Sequence, residues 1–145
     1  MNRIVEKVHF SENVVKLVLE APYIAKSRKA GHFVIVRVDA NGERIPLTIA
    51  GSDPEKGTIL LVVQKVGVSS CKLCDLNVGD TVLDVVGPLG EATHIANAGT
   101  VLCAGGGVGI APMLPIAQAL KAAGNRVVSI LAARSKDLII LEDEV

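Results

Sequence analysis

Four glycines in five positions, Gly105, Gly106, Gly107 and Gly109, stand between an apolar run, "TVLCA", and a segment of helical spacing, "IAPMLPIAQAL". Glycine lets a backbone turn tightly and approach a ligand closely, and the helix end that follows presents free N–H groups with a partial positive charge. The chemistry this suits is the cradling of a pyrophosphate. A strand-to-helix turn without a ligand uses glycine too, although turns alone rarely need so many. The spacing is G-G-G-x-G rather than G-x-G-x-x-G, and no acidic residue ends the following strand to hold a ribose. The tip of that strand reads "AARSKD", where Arg134 and Lys136 either attract a 2′-phosphate or simply face water.

A second cluster, "VGVSSCKLC", joins two hydroxyls, Ser69 and Ser70, to a C-x-x-C. The hydroxyls read as a helix cap. Cys71 and Cys74 read as two small thiols one turn apart on a short helix, with a redox or metal pair as the alternative. A metal site needs a second pair of ligands, and His9, His32 and His94 show no suitable spacing. No metal is expected.

Elements must position these groups, and the chain changes character along its length. The first ninety residues hold six apolar runs: "RIVEKVHF", "VVKLVLEA", "FVIVRVDA", "RIPLTIA", "TILLVVQKV" and "TVLDVVGPL". Turn chemistry such as "DANGE", "SDPEKG" and "NVGD" separates most of them, which predicts a six-stranded antiparallel barrel or sandwich with one short helix at "SSCKLCDL". After His94 the pattern predicts a strand at "GTVLCAG" buried on both faces, then a helix with Ile110, Met113, Leu114, Ala117 and Leu120 on one side. Pro112 suits its first turn, Pro115 is near enough to the start to be tolerated, and Gly124 ends it. "RVVSILAAR" completes one βαβ unit. The expected division is a barrel over 1–92 and an α/β segment over 98–145.

The chain has 145 residues, 50% of them hydrophobic but only 2% aromatic, so aliphatic side chains must fill the core and stack on any flat ligand. Fifteen basic and fifteen acidic residues cancel, leaving no electrostatic footprint for nucleic acid or an anionic membrane. No apolar run is long enough to span a bilayer, "MNRIVEKVHF" is charged where a signal peptide is apolar, and three cysteines make an odd count. These features predict a cytoplasmic protein with reduced thiols.

"RIPLTIA", "VVQKVGVSS", "GPLG" and "GGGVGIAP", in this order, resemble the ferredoxin–NADP reductase type of flavoprotein over essentially the whole chain. The branch most alike includes the ferredoxin–NADP reductase alpha subunit, sulfide dehydrogenase and the dihydroorotate dehydrogenase electron-transfer subunit. The resemblance implies an FAD-binding antiparallel barrel followed by the first βαβ unit of an NAD(P)-binding domain. It also implies that Pro46, Leu47 and Thr48 line the isoalloxazine, with the Thr48 hydroxyl close to the reactive flavin nitrogen as the catalytic group. Val62, Val63 and Gln64 would lie along the flavin and ribityl chain, and Gly67, Ser69 and Ser70 would take the FAD pyrophosphate. Gly106, Gly107, Gly109, Ala111 and Pro112 would serve the nicotinamide dinucleotide.

Many relatives carry an arginine three residues before the Ser/Thr and an aromatic just before it; Ile45 and Leu47 occupy those places. Arg44, the candidate pyrophosphate ligand, lies one residue upstream, and a one-residue slip turns a side chain to the opposite strand face. The family's α/β domain runs well past Val145, and in this branch the [2Fe–2S] cysteines lie in that later part.

The expected function is a flavin-dependent electron-transfer subunit working between NAD(P)H and an iron–sulfur flavoprotein subunit or ferredoxin. A noncatalytic flavin-binding or assembly module is the alternative. A fragment of a longer reductase, lacking nucleotide-dependent activity, is the third expectation.

Overall fold

The computed structural model describes all residues, 1–145. Six strands, β1 Ile4–His9, β2 Val14–Glu20, β3 Phe33–Arg37, β4 Arg44–Asp53, β5 Thr58–Gln64 and β6 Asp84–Leu89, form one antiparallel sheet in the order β1-β2-β5-β4-β3-β6. The sheet curls until its ends meet: Arg3 bridges Thr81, Gly79 N donates to Ile4 O, and Val82 N donates to Asn2 O. Its inside is set by alternation. Val15, Leu17 and Leu19 on β2, Ile59, Leu61 and Val63 on β5, and Val34 and Val36 on β3 are all buried in one cluster. Each such side chain contributes roughly 1.5–3 kcal/mol on burial. That aliphatic filling is what the near absence of aromatics demanded.

Two helices cover the barrel's ends. α2, Val68–Asp75, closes one with Leu73 and Cys74; it is the helix the sequence predicts, one residue longer at its start and one shorter at its end. α1, Pro22–Ser27, was not anticipated. Six residues are too few to show helical periodicity, yet Pro22 opens the first turn and Ile24 and Ala25 bury against the barrel.

Beyond the barrel, β7 (Thr100–Gly106) and β8 (Arg126–Ala132) pair in parallel, in register from Thr100↔Arg126 to Gly106↔Ala132. α3, Ile110–Ala122, links them after a single 3₁₀ turn at Gly107–Gly109. It ends in a Schellman arrangement: Gly124 takes φ +93°, Gly124 N donates to Lys121 O, and Asn125 N donates to Leu120 O. Buried Asn125 then fixes the preceding loop, donating from Nδ2 to Ala96 O and Leu120 O and accepting from Ala98 N.

One expectation is corrected. β7 is not buried on both faces: Leu102 is 62% exposed, and Val128 and Ile130 beside it on β8 are 40% and 51% exposed. α3 covers only one face of this two-stranded sheet. The seam between the barrel and the α/β unit is closed by Ala50, Ile110, Ala111, Leu114, Ile140 and Leu141, with Phe10 and Val62 packed on them.

Candidate functional site

A cleft of about 350 Å³ runs over the barrel wall where β4, β5 and the start of α2 meet, lined by Pro46, Leu47, Val62, Val63, Gln64, Gly67, Ser69, Ser70 and Val108, with Glu43, Ile45, Val66 and Val68 around them. A second, of about 570 Å³, lies between the glycine turn and the β1–β2 turn. Gln64 and Val108 line both, so the two clefts are neighbours and are together called the trough. Nearly every residue assigned to flavin contact in the sequence is on the first cleft's wall. Val63 is buried in the barrel core, so it gives the wall backbone rather than side chain.

Two assigned residues lie off this wall. Arg44 is exposed on the barrel surface, its Nη2 3.5 Å from Asp84 Oδ2. This is the opposite strand face from Ile45 and Leu47, which pack on the barrel core. Thr48 is half-buried on β4, opposite Phe33 of β3, and lines neither cleft.

The start of α2 presents backbone donors. Val68, Ser69 and Ser70 belong to its first turn, where N–H groups have no acceptor one turn back. Ser70 is committed to the helix itself: its Oγ accepts from Val66 N and Gly67 N and donates to Gly67 O, all at 3.0 Å. The helix-cap reading therefore describes Ser70. Ser69 is the hydroxyl left for a ligand. At Gly67 a side chain would meet nothing within 4 Å. Val66 and Val68 stand 80% and 76% exposed beside it, apolar surface a flat ligand would cover.

The four glycines of the second cleft separate by geometry. A Cβ on Gly105 would meet Ile110 Cα at 3.1 Å and Gly109 O at 3.2 Å, so Gly105 lets α3 approach β7. Gly107 has φ +56°, a conformation side chains resist. Gly109 and Gly106 have no such duty: nothing lies within 4 Å of a Cβ on Gly109, and only Ala132 is near one on Gly106, at 3.7 Å. The fold leaves open space in front of them. Ala111 is buried in the seam and Pro112 is half-buried behind the turn, so both support the cradle rather than line it. Arg134 lines the cleft from the tip of β8, and Lys136 does not. Ser11, Asn13, Leu138 and Ile140 also line it; nothing in their local sequence marks them, because packing across the seam brings them here.

The cysteines carry no such site. Cys74 is buried, its thiol 3.8 Å from Val63 O, and burial pushes its pKa above the ordinary 9.0. No three His, Cys, Asp or Glu side chains are gathered in a way that could hold a metal ion. No helix is long and apolar enough to cross a membrane.

Comparison with known proteins agrees with this geometry. An electron-transfer subunit homolog of dihydroorotate dehydrogenase B (NAD+) from Thermotoga maritima is 48% identical over 144 residues, spanning 99% of this chain and 51% of its own length. The corresponding subunit from Bacillus cereus is 32% identical over 148 residues, with 97% and 56% covered. The chain thus spans about half the length of these curated relatives. The solved NADH-dependent reduced ferredoxin-NADP oxidoreductase superposes with a TM-score of 0.98 at 46% identity, over 100% of this chain and 53% of that one. Phthalate dioxygenase reductase superposes with a TM-score of 0.82 at 26% identity, over 98% and 46%. The oxidoreductase FAD-binding domain pattern matches residues 2–94, more than half of the chain, and the chain belongs to that family.

Proposed function

We propose that the chain is the flavin-bearing part of an electron-transfer subunit, passing electrons between NADH or NADPH and an iron–sulfur partner, either a flavoprotein subunit or a ferredoxin. The observation that supports it best is the pair of adjoining clefts, which sets an apolar wall and one helix N-terminus beside a second, glycine-built helix N-terminus. Such a shape suits two ligands, one flat and one phosphate-bearing, placed end to end. On this reading residues 1–92 are the FAD-binding barrel and 98–145 an incomplete nucleotide-binding unit.

The residues present fit the flavin. Pro46, Leu47 and Val62 supply an aliphatic bed, Gln64 a carboxamide, and Gly67 and Ser69 the pyrophosphate end. Bound FAD supplies the exchange between two-electron hydride donors and one-electron carriers. The chain's part is to hold, orient and shield. Thr48, on the strand that carries this bed, is assigned to the reactive flavin nitrogen, and Arg44 acts only if it leaves Asp84. The relatives' names favour this reading over a noncatalytic assembly module: one set is named electron-transfer subunits, and phthalate dioxygenase reductase is described as transferring electrons from pyridine nucleotides to [2Fe-2S]. We place any [2Fe–2S] centre outside residues 1–145, since Cys71, Cys74 and Cys103 form no ligand set.

A polypeptide of these 145 residues should bind FAD yet be reduced slowly by NADH or NADPH. One helix N-terminus gives on the order of 0.3–2 kcal/mol toward an anion, whereas micromolar affinity needs about 8 kcal/mol. Ser69→Asp tests the assignment. An acidic residue in a helix's first turn favours the empty helix, which offsets part of the cost of a carboxylate at this buried position, and the charge opposes the pyrophosphate. Flavin affinity should fall at least tenfold; unchanged affinity in a folded Ser69→Asp protein places the pyrophosphate elsewhere.

A further inference from the structure

The β1–β2 turn is part of the α/β unit's cleft although it belongs to the barrel. Phe10 N and Ser11 N both donate to Val14 O, at 2.9 and 3.2 Å, and Lys65 N donates to Asn13 O at 2.8 Å. The Phe10 ring packs into the seam with Ala50 and Ile110. The turn is therefore tied at its neck to the end of β5 and anchored across the seam, which holds it beside the glycine turn. Ser11 and Asn13 line that cleft opposite Gly106 and Gly107. The carboxamide of Asn13, on the exposed face of the turn, makes no hydrogen bond within the chain, and Ser11 Oγ receives only a long one, 3.4 Å, from Asn13 N. No carboxylate lines this cleft, and Arg134 is its one charged residue. Neutral donors facing free helix N–H groups, with a guanidinium beside them, form a wall for an anionic, hydroxyl-rich ligand.

We propose that Asn13 and Ser11 form the barrel-side wall of the dinucleotide site, hydrogen-bonding phosphate or ribose oxygens of a pyridine dinucleotide held on the glycine turn. This rests on the nucleotide-binding reading above. It gives the barrel a direct role in holding the nucleotide, with Asn13 and Gln64 as neighbours, since Gln64 pairs with Val14 across β2 and β5. An incomplete α/β unit would then keep a weak but specific affinity.

Titration of the ¹⁵N-labelled chain with NAD+ into the millimolar range, followed by amide resonances, tests this. Gly106 N–H, Gly107 N–H and the Asn13 side-chain NH2 should shift together along one saturation curve. Asn13→Asp, nearly isosteric but charged, should weaken that curve tenfold or more, with the unliganded spectrum otherwise kept. Shifts at the glycine turn with none at Asn13, and an unaltered curve for a folded Asn13→Asp protein, would overturn this inference alone. No shift anywhere at millimolar NAD+ would overturn the nucleotide reading with it.

Discussion

Gly105, Gly106, Gly107 and Gly109 are the same residue in four different positions, and substitution should tell them apart. Gly105→Ala forces a methyl against Ile110 Cα and Met113 Sδ, both within 3.2 Å of it. Overpacking of this kind costs about 1–3 kcal/mol. Gly107→Ala should cost about 1–2 kcal/mol through its left-handed backbone. Gly109→Ala should leave stability unchanged, since its methyl meets open space. Urea unfolding of the three variants checks this, and equal losses at 105 and 109 would contradict it. The motif itself was legible in the sequence as a strand-to-helix turn. Its division of labour was not, because the distance from Gly105 to α3 exists only after packing. The same holds for the paired serines. Ser70 is spent on three local hydrogen bonds, so Ser70→Ala should destabilise by about 1–3 kcal/mol, and Ser69→Ala should have little effect on the unliganded fold.

Elements were read from alternation, and where a strand buries one face against the barrel core that reading succeeds. β2 and β5 show it most clearly, with Leu17↔Leu61 and Leu19↔Ile59 paired inside. It fails for α1, which is held by tertiary burial of Ile24 and Ala25 rather than by any period of its own. It fails differently for β7, whose continuous apolar run implied two covers where the fold provides one. α2 yields a pH prediction. Burial raises the Cys74 pKa above 9.0, so the unfolded chain releases this proton at lower pH than the folded one. Between those two values the unfolded state binds fewer protons, and stability falls as pH rises. Cys74→Ala should lower stability throughout by leaving a small cavity, yet flatten the loss above pH about 9 relative to the unaltered chain. At neutral pH, half-buried Cys71 should alkylate with iodoacetamide, while Cys74 and Cys103, buried, should react only on unfolding. Equal reactivity of all three in the native protein would contradict the burial of Cys74 and Cys103.

At the scale of the molecule, the chain is a closed barrel joined to one βαβ unit across a well-filled seam. Ile110, fully buried there, should cost about 2–5 kcal/mol when cut to Ala. Leu102→Ser and Ile130→Ser on the bare sheet face should change stability by less than about 0.5 kcal/mol, measured by urea unfolding. That both ends of the trough depend on this seam was not legible in the sequence, since Ser11, Gln64 and Gly107 lie far apart along the chain and meet only when the α/β unit packs on the barrel. The central claim is that the trough holds FAD. Its most direct test is titration of FAD into the 145-residue chain, followed by visible absorbance and flavin fluorescence. A red-shifted, structured flavin band that saturates at one FAD per chain is the expected result. Fluorescence and absorbance of free flavin at every ratio, from a chain that circular dichroism shows to be folded, would contradict it.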